Sequence, residues 1–333
     1  MIEPSKLLLK FSRRLWPEPT EQAKFIQALI QPQPLNPSIL WCQVKPEPIP
    51  WIPESPLPWQ PDFVDRLPLS SEPGRHSLHQ QGYFYCLDFS SVFAASTLLQ
   101  ISSPIDFVLD VCASPGGKSL FAQVALRPQL MLSNEVIGKR RGALITNLRR
   151  CQPHSRLAPP DAQRIVLSRD ARILAQVMPQ SADVVIVDAP CSGQSLLAKG
   201  VKAPGCFHPV SINKNANRQK RILANSAQIV APQGYLAYMT CAYSVEENEQ
   251  VSAWLLKKFS HLQPVMVPHL EAYQSHLTSI PCYRMWPQDR LGAGAFTVLF
   301  RNTKTGQKHQ VPSDLIEQMG FQISTSPNEF VSV

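Results

Sequence analysis

The chain is poor in features that would mark several common protein classes. Its eight cysteines, Cys42, Cys86, Cys112, Cys151, Cys191, Cys206, Cys241 and Cys282, form no CxxC pair and no zinc-like spacing. That pattern argues against a structural metal and for reduced thiols in a cytosolic chain. Cys206-Phe207-His208 is the nearest approach to a ligand pair, and two ligands make a poor site. No metal is therefore expected. No apolar run approaches a bilayer span of about 20 residues, and the N-terminus lacks a signal-peptide core. A cytoplasmic protein with no membrane partner is the expectation. Internal repeats and low-complexity tracts are also missing. The last deficit is local: residues 189–245 contain no acid at all.

What is present fits a globular chain. At 333 residues with 44% hydrophobic content, a full core and one large domain plus an extension are expected. The formal charge of +8 points to an acidic partner, with nucleic acid first. Lys199, Lys202, Lys214, Arg218, Lys220 and Arg221 accumulate in the acid-free stretch, and Lys199, Lys202 and Arg218 are the candidate RNA contacts. Nine Lys or Arg residues between Lys139 and Arg172, against Asp161 and Asp170, read equally as a solvated helix face or as RNA contact.

Residues 1–75 form a distinct, proline-rich extension. They hold 15 of the 32 prolines and four of the six tryptophans, and the first glycine is Gly74. A short helix is predicted from Glu21 to Ile30, and no regular structure from Gln31 to Pro61. Trp41, Trp51 and Trp59 either stack on bases or pin the extension to the domain that follows. Residues 76–302 form that domain, and 303–333 a tail without a strong pattern. Within the domain, predicted strands at Phe107–Val111, Met131–Glu135, Arg164–Ser168, Ala182–Asp188 and Gly234–Thr240 alternate with helices. Such alternation specifies an α/β fold with a mainly parallel sheet covered on both faces.

The central stretch is FVLDVCASPGGKS, Phe107 to Ser119. An apolar strand, a turn of small residues and a helix start make a backbone cup with free N–H groups. A Walker phosphate loop fits only its last three residues: Cys112 stands where the first glycine is needed, and Pro115 removes a donor. A nucleoside cofactor fits better. Glu135, 25 residues beyond Asp110 at the end of the next strand, is placed for the ribose hydroxyls. Asp170 follows the third strand, suited to an adenine amino group or to capping the next helix.

The fourth strand ends in Asp188-Ala189-Pro190-Cys191-Ser192-Gly193 and the fifth in Thr240-Cys241-Ala242-Tyr243-Ser244. Adjacent parallel strands lie about 5 Å apart, so the two thiols are able to face one pocket. A buried cysteine is more often inert packing. Two cysteines at neighbouring strand ends, each in a loop, are harder to dismiss.

The segments DVCASPGGKS, DAPCSG and TCAYS, in this order and spacing, resemble the RsmB/Nop2/Sun family of RNA cytosine-5 methyltransferases. The resemblance spans roughly Gly82 to Arg301. It implies a Rossmann-like class I methyltransferase sheet, S-adenosylmethionine as cofactor, and a cytidine in ribosomal or transfer RNA as substrate. By the same resemblance Cys241 is the nucleophile, Cys191 the thiol that helps release product, and Asp188 a contact to the target base. The cofactor would be held by Cys112, Ala113, Ser114, Pro115, Gly116, Gly117, Lys118, Glu135, Asp170 and Asp188. The chemistry needs a thiolate, because carbon-5 of cytosine attacks a sulfonium methyl only after a nucleophile adds at carbon-6. Nearby cations such as Lys199 would favour that thiolate.

The sequence departs from the family at Ser114, usually Ala, at Leu87 before Asp88-Phe89-Ser90-Ser91, and at Arg290–Phe296, where Asp-Gly-Phe-Phe is common. Trp286-Pro287 fits it. No long N-terminal helical RNA-binding domain is expected, and a monomer is. Two rivals stay open: reversed thiol roles, as in DNA cytosine methyltransferases with a Pro-Cys nucleophile, and a non-catalytic RNA-binding assembly factor. An amino-group methyltransferase would want a Pro-Pro-aromatic loop that Asp188-Ala189-Pro190-Cys191 does not supply.

Overall fold

The computed structural model describes residues 3–152, 159, 161–312 and 321–323. Ser5 accepts a hydrogen bond from the Leu8 amide and starts α1 (Lys6–Leu15), whose Leu8, Phe11 and Leu15 fall on one buried face. Pro19 opens α2 (Pro19–Ile30) at a position where its missing N–H costs nothing. The sequence pattern predicts only the second of these helices.

The proline-rich stretch contains more order than its composition predicts. Residues 38–45 are free of proline, and β1 (Ser38–Trp41) forms there with all four residues buried. It pairs antiparallel with β2 (Val64–Arg66) and β3 (Phe84–Leu87), which satisfies its backbone on both edges. The expectation of no regular structure from Gln31 to Pro61 is corrected accordingly. Trp41 Nε1 donates to Asp65 Oδ2 at 2.6 Å, and Trp59 packs on the Phe89 ring at 4.8 Å. Both tryptophans are buried, and Trp51 sits edge-on to Phe84, so these rings pin the segment instead of presenting faces to bases.

After the single turn α3 (Ser77–Gln80) and α4 (Phe89–Ser96), capped by Asp88, the chain alternates. Its elements are β4 (Phe107–Asp110), α5 (Gly117–Leu126), β5 (Leu130–Asn134), α6 (Gly138–Arg150), β6 (Gln163–Leu167) and α7 (Ala171–Val177). They continue as β7 (Ala182–Asp188), α8 (Pro209–Ile229), β8 (Val230–Thr240) and α9 (Glu249–Lys258). The short β9 (Leu262–Pro264) and β10 (Tyr283–Met285) precede β11 (Ala295–Asn302), and β12 (Phe321–Gln322) follows.

The strands run β10-β11-β8-β7-β4-β5-β6-β12, with β9 also on β11. The five from β8 to β6 are parallel; β9, β10, β11 and β12 are antiparallel additions. The mainly parallel sheet is the one the alternation predicts; β10 and β12 are too short to show in the pattern. Alternate residues feed two cores: Val184 and Ile186 face one side of the sheet, Val185 and Val187 the other. Because β5 and β6 lie on one side of β4 and β7 and β8 on the other, a crevice opens at the carboxyl ends of β4 and β7. The N-terminal helices cover a neighbouring part of that edge. Phe25 of α2 packs edge-on to Tyr243 at 5.2 Å, and Trp16 meets Trp286 at 4.5 Å.

Candidate active site

The cup after β4 is held from below. Asp110, fully buried, accepts from Ser119 Oγ at 2.7 Å, and burial pushes its carboxyl up to about 7 against that bond. Gly116 caps α5 with a φ of 115°, in the left-handed region that favours glycine. A Cβ on Gly117 would meet the Tyr85 ring at 3.0 Å. Ser114, the departure from the family, bonds α6: its hydroxyl donates to Arg140 O at 2.9 Å and its carbonyl accepts from Arg140 Nη2 at 2.6 Å. Ala113 and Ser114 are buried and Pro115 is exposed.

A cavity of about 480 Å³ opens beside this cup, and Cys112, Glu135, Asp170 and Arg218 are among its walls. Glu135 Oε1 accepts from the Ile137 amide at 2.8 Å. Its Oε2 is buried without a hydrogen-bond partner, Arg140 Nη1 standing 3.6 Å away, too far for one. Asp170 stands in the cavity wall and caps α7, its Oδ1 accepting from the Arg172 amide at 2.8 Å. Asn134, absent from the sequence reading, ties three strand ends: Nδ2 donates to Val111 O and Arg169 O, both at 3.0 Å.

On the β7 and β8 side the two thiols meet. Register pairs Asp188 with Met239, and the loops that follow bring Cys191 Sγ to 2.9 Å from Cys241 Sγ. Lys118, reaching over from α5, pairs with Asp188 at 2.7 Å. The hydrogen bond between the two thiols holds Cys241 below its ordinary range against burial and Asp188, with help from Ser195 and Lys118. Cys191 goes the other way: the bond to Cys241 raises it, and burial and the charge of Glu247 add to that. Burial and Asp188 pull Lys118 in opposite directions, and Asp188 prevails to keep the ammonium above its usual value.

The candidate RNA contacts separate in space. Lys199 Nζ lies 2.8 Å from Asp88 Oδ2, so the cation beside the thiols is Lys118 and not Lys199. Lys202 is exposed, and Arg218 stands in the cavity wall with Cys112 and Asp170. In the first basic cluster Arg150 Nη1 donates to His79 O at 2.6 Å and Arg149 lies over the Phe321 ring, while Arg156 falls outside the described residues.

Sequence reasoning missed the groups that fix the second thiol loop. Gln194 Oε1 accepts from the Tyr243 amide at 2.6 Å and the Ser244 amide at 3.0 Å. Arg284 Nη1 donates to Tyr243 O at 3.0 Å and is paired with Glu249, both side chains being almost wholly buried. Arg284→Ala strands a buried carboxylate, so the urea midpoint is expected to fall by the equivalent of about 3–5 kcal/mol. A loss below about 1 kcal/mol would mean that solvent reaches the pair.

Comparison with known proteins follows this geometry. The family model for 16S rRNA methyltransferase RsmB/F matches residues 97–301. Ribosomal RNA small subunit methyltransferase F of Cronobacter sakazakii is 30% identical over 273 residues, covering 80% of this chain and 53% of that protein. Its namesake in an Escherichia coli strain is 31% identical over 216 residues, 62% of this chain and 42% of that one. The chain spans about half the length of the curated relatives it matches. Among solved structures, a methyltransferase homologue from Pyrococcus horikoshii overlays with a TM-score of 0.69 at 20% identity, covering 90% of this chain and 95% of the other. NSun6 from the same organism, solved with SFG, gives 0.67 at 17% identity, covering 90% and 99%. At such identities the two structures establish the fold.

Proposed function

Because the chain belongs to the 16S rRNA methyltransferase RsmB/F family, we propose that it methylates a cytidine of ribosomal RNA at carbon-5, with S-adenosylmethionine as donor and a transient Cys241–cytosine bond. The observation that carries this reading is the contact of the two sulfurs, at 2.9 Å, beside the Lys118–Asp188 pair.

The cofactor fits the residues present. The partnerless Glu135 Oε2 suits a ribose diol, Asp170 the polar edge of a base, and Val111, Ile137 and Pro190 an adenine face. When bound there, S-adenosylmethionine supplies an electrophilic methyl group. Glu135→Ala is expected to weaken its binding about ten- to a hundredfold, the worth of hydrogen bonds to a charged group at about 1.5–3 kcal/mol. Calorimetry measures this without RNA, and unchanged affinity would remove Glu135 from the site.

The chain's own groups then act in sequence. Cys241, held as thiolate, adds to carbon-6 of a cytosine turned out of its stack, and carbon-5 gains enamine character. Asp188 faces the polar edge of the ring, and the Lys118 ammonium beside it offsets the negative charge that develops there. Bonding of Cys241 removes the negative charge opposite Cys191. Cys191 then gives its proton to solvent at lower cost and, as thiolate, takes the carbon-5 proton, and elimination of Cys241 as thiolate restores the ring. A non-catalytic assembly factor has no use for two touching thiols and a paired Lys118. The direct test incubates the protein with methyl-labelled cofactor and unmodified 16S rRNA, then digests to nucleosides. Labelled 5-methylcytidine supports the reading; label on an exocyclic nitrogen or on ribose overturns it.

A further inference from the structure

Glu247 is fully buried, yet four hydrogen bonds from three segments end on its carboxylate. Oε1 accepts from the Ser192 amide at 2.8 Å and from Gln219 Nε2 at 3.1 Å. Oε2 accepts from the hydroxyls of Ser192 and Ser244, each at 2.6 Å. Ser192 adjoins Cys191, and Ser244 lies in the loop that carries Cys241. Gln219, from α8, also donates to Pro190 O at 3.1 Å, so both thiol loops are bound to one side chain and its neighbour. All four donors are neutral.

Burying a carboxylate among neutral donors is expensive, and a neutral side chain would tie the loops at lower cost. The charge therefore needs a use. It disfavours a thiolate at Cys191, after the larger effects of Cys241 and burial. Cys241 instead faces Cys191, Asp188 of β7, Ser195 and Lys118 of α5. The Glu247 carboxylate is bonded to the residue after Cys191, whereas Cys241 stands by the opposite charges of Asp188 and Lys118, so the two sulfurs are unequally placed.

We propose that Glu247 is the positioning residue of the thiol pair: it draws the two loops into sulfur contact and sets its carboxylate behind Cys191, leaving Cys241 as the sulfur that reacts. This rests on Cys241 as the attacking group in the function proposed above, but its test does not need that reaction. Glu247→Gln removes the charge at nearly constant shape, and the serine hydroxyls are free to turn and accept from the new amide.

The experiment is alkylation with iodoacetamide across neutral to alkaline pH, read at each cysteine by peptide mass spectrometry, with thermal melting to confirm folding. In the wild-type protein Cys241 is expected to label first. In E247Q the ratio of Cys191 to Cys241 labelling is expected to rise about tenfold, one pK unit. Ser244→Ala, which keeps the charge and deletes one tether, should leave Cys241 first while slowing methyl transfer severalfold. An unchanged ratio in folded E247Q, or a shift of label to Cys191 in S244A, overturns the proposal. Should E247Q not fold, the wild-type protein decides, since Cys191 labelling ahead of Cys241 is incompatible with it. A protein that shows the expected labelling but methylates no RNA sinks the function reading and leaves this one standing.

Discussion

Replacing Cys241 by alanine is expected to abolish methyl transfer, with a loss on the order of a millionfold, the scale seen when a covalent nucleophile is removed. The size follows from the chemistry. Without a bond at carbon-6, carbon-5 has no electron density to offer, and neither Asp188 nor Lys118 creates it. Positioning and charge stabilisation remain in the variant, but they act on a step that no longer occurs. Cofactor affinity by calorimetry and the melting temperature should both stay near wild type, because the thiol lies outside the cavity that holds Glu135 and Asp170. A C241A protein with more than a hundredth of wild-type turnover would mean that the sulfur only packs.

Replacing Cys191 by alanine is expected to produce a different defect. In the proposed reaction Cys241 still adds and the methyl group still moves, because neither step needs a second thiol. The carbon-5 proton then has no base, and the ring cannot expel Cys241. Product is expected to stop at about one equivalent per enzyme, with multiple turnover lost. The contact with Cys191 also favours the Cys241 thiolate. Its removal therefore raises the Cys241 thiol, and the single turnover should slow at neutral pH and recover as the pH rises. Quenched-flow counting of methyl groups per enzyme distinguishes this from a simple loss of rate. Full multiple turnover in C191A would assign proton removal to another group.

Much of this site was legible because its signals are local. Phe107–Leu109 of β4 and Val184–Val187 of β7 are apolar runs that end in Asp110 and Asp188, and each passes straight into its functional loop. Periodicity placed α7 and β7 at their observed bounds, and the register of β7 with β8 brought the two thiols together as the strand spacing implied. The groups that support the site were not legible, for a physical reason. Glu247 and Glu249 stand at the start of α9, where acids usually face solvent and favour the helix dipole. Their burial depends on Ser192, Gln219 and Arg284, distant in sequence. Lys199 was assigned to the thiols by proximity along the chain, whereas the fold gives it to Asp88 and delivers Lys118 from across the crevice. Strand β1 was hidden for a similar reason. Its flanking prolines dominate the composition, and only pairing with β2 and β3 gives the short gap between them a structure.

Covalent trapping tests the central claim most directly. C191A, C241A and the double variant are each mixed with unmodified 16S rRNA and S-adenosylmethionine, then run on a denaturing gel. The account predicts a retarded protein–RNA band for C191A alone, abolished when Cys241 is also removed. A retarded band with C241A and none with C191A would reverse the roles of the two sulfurs and contradict it.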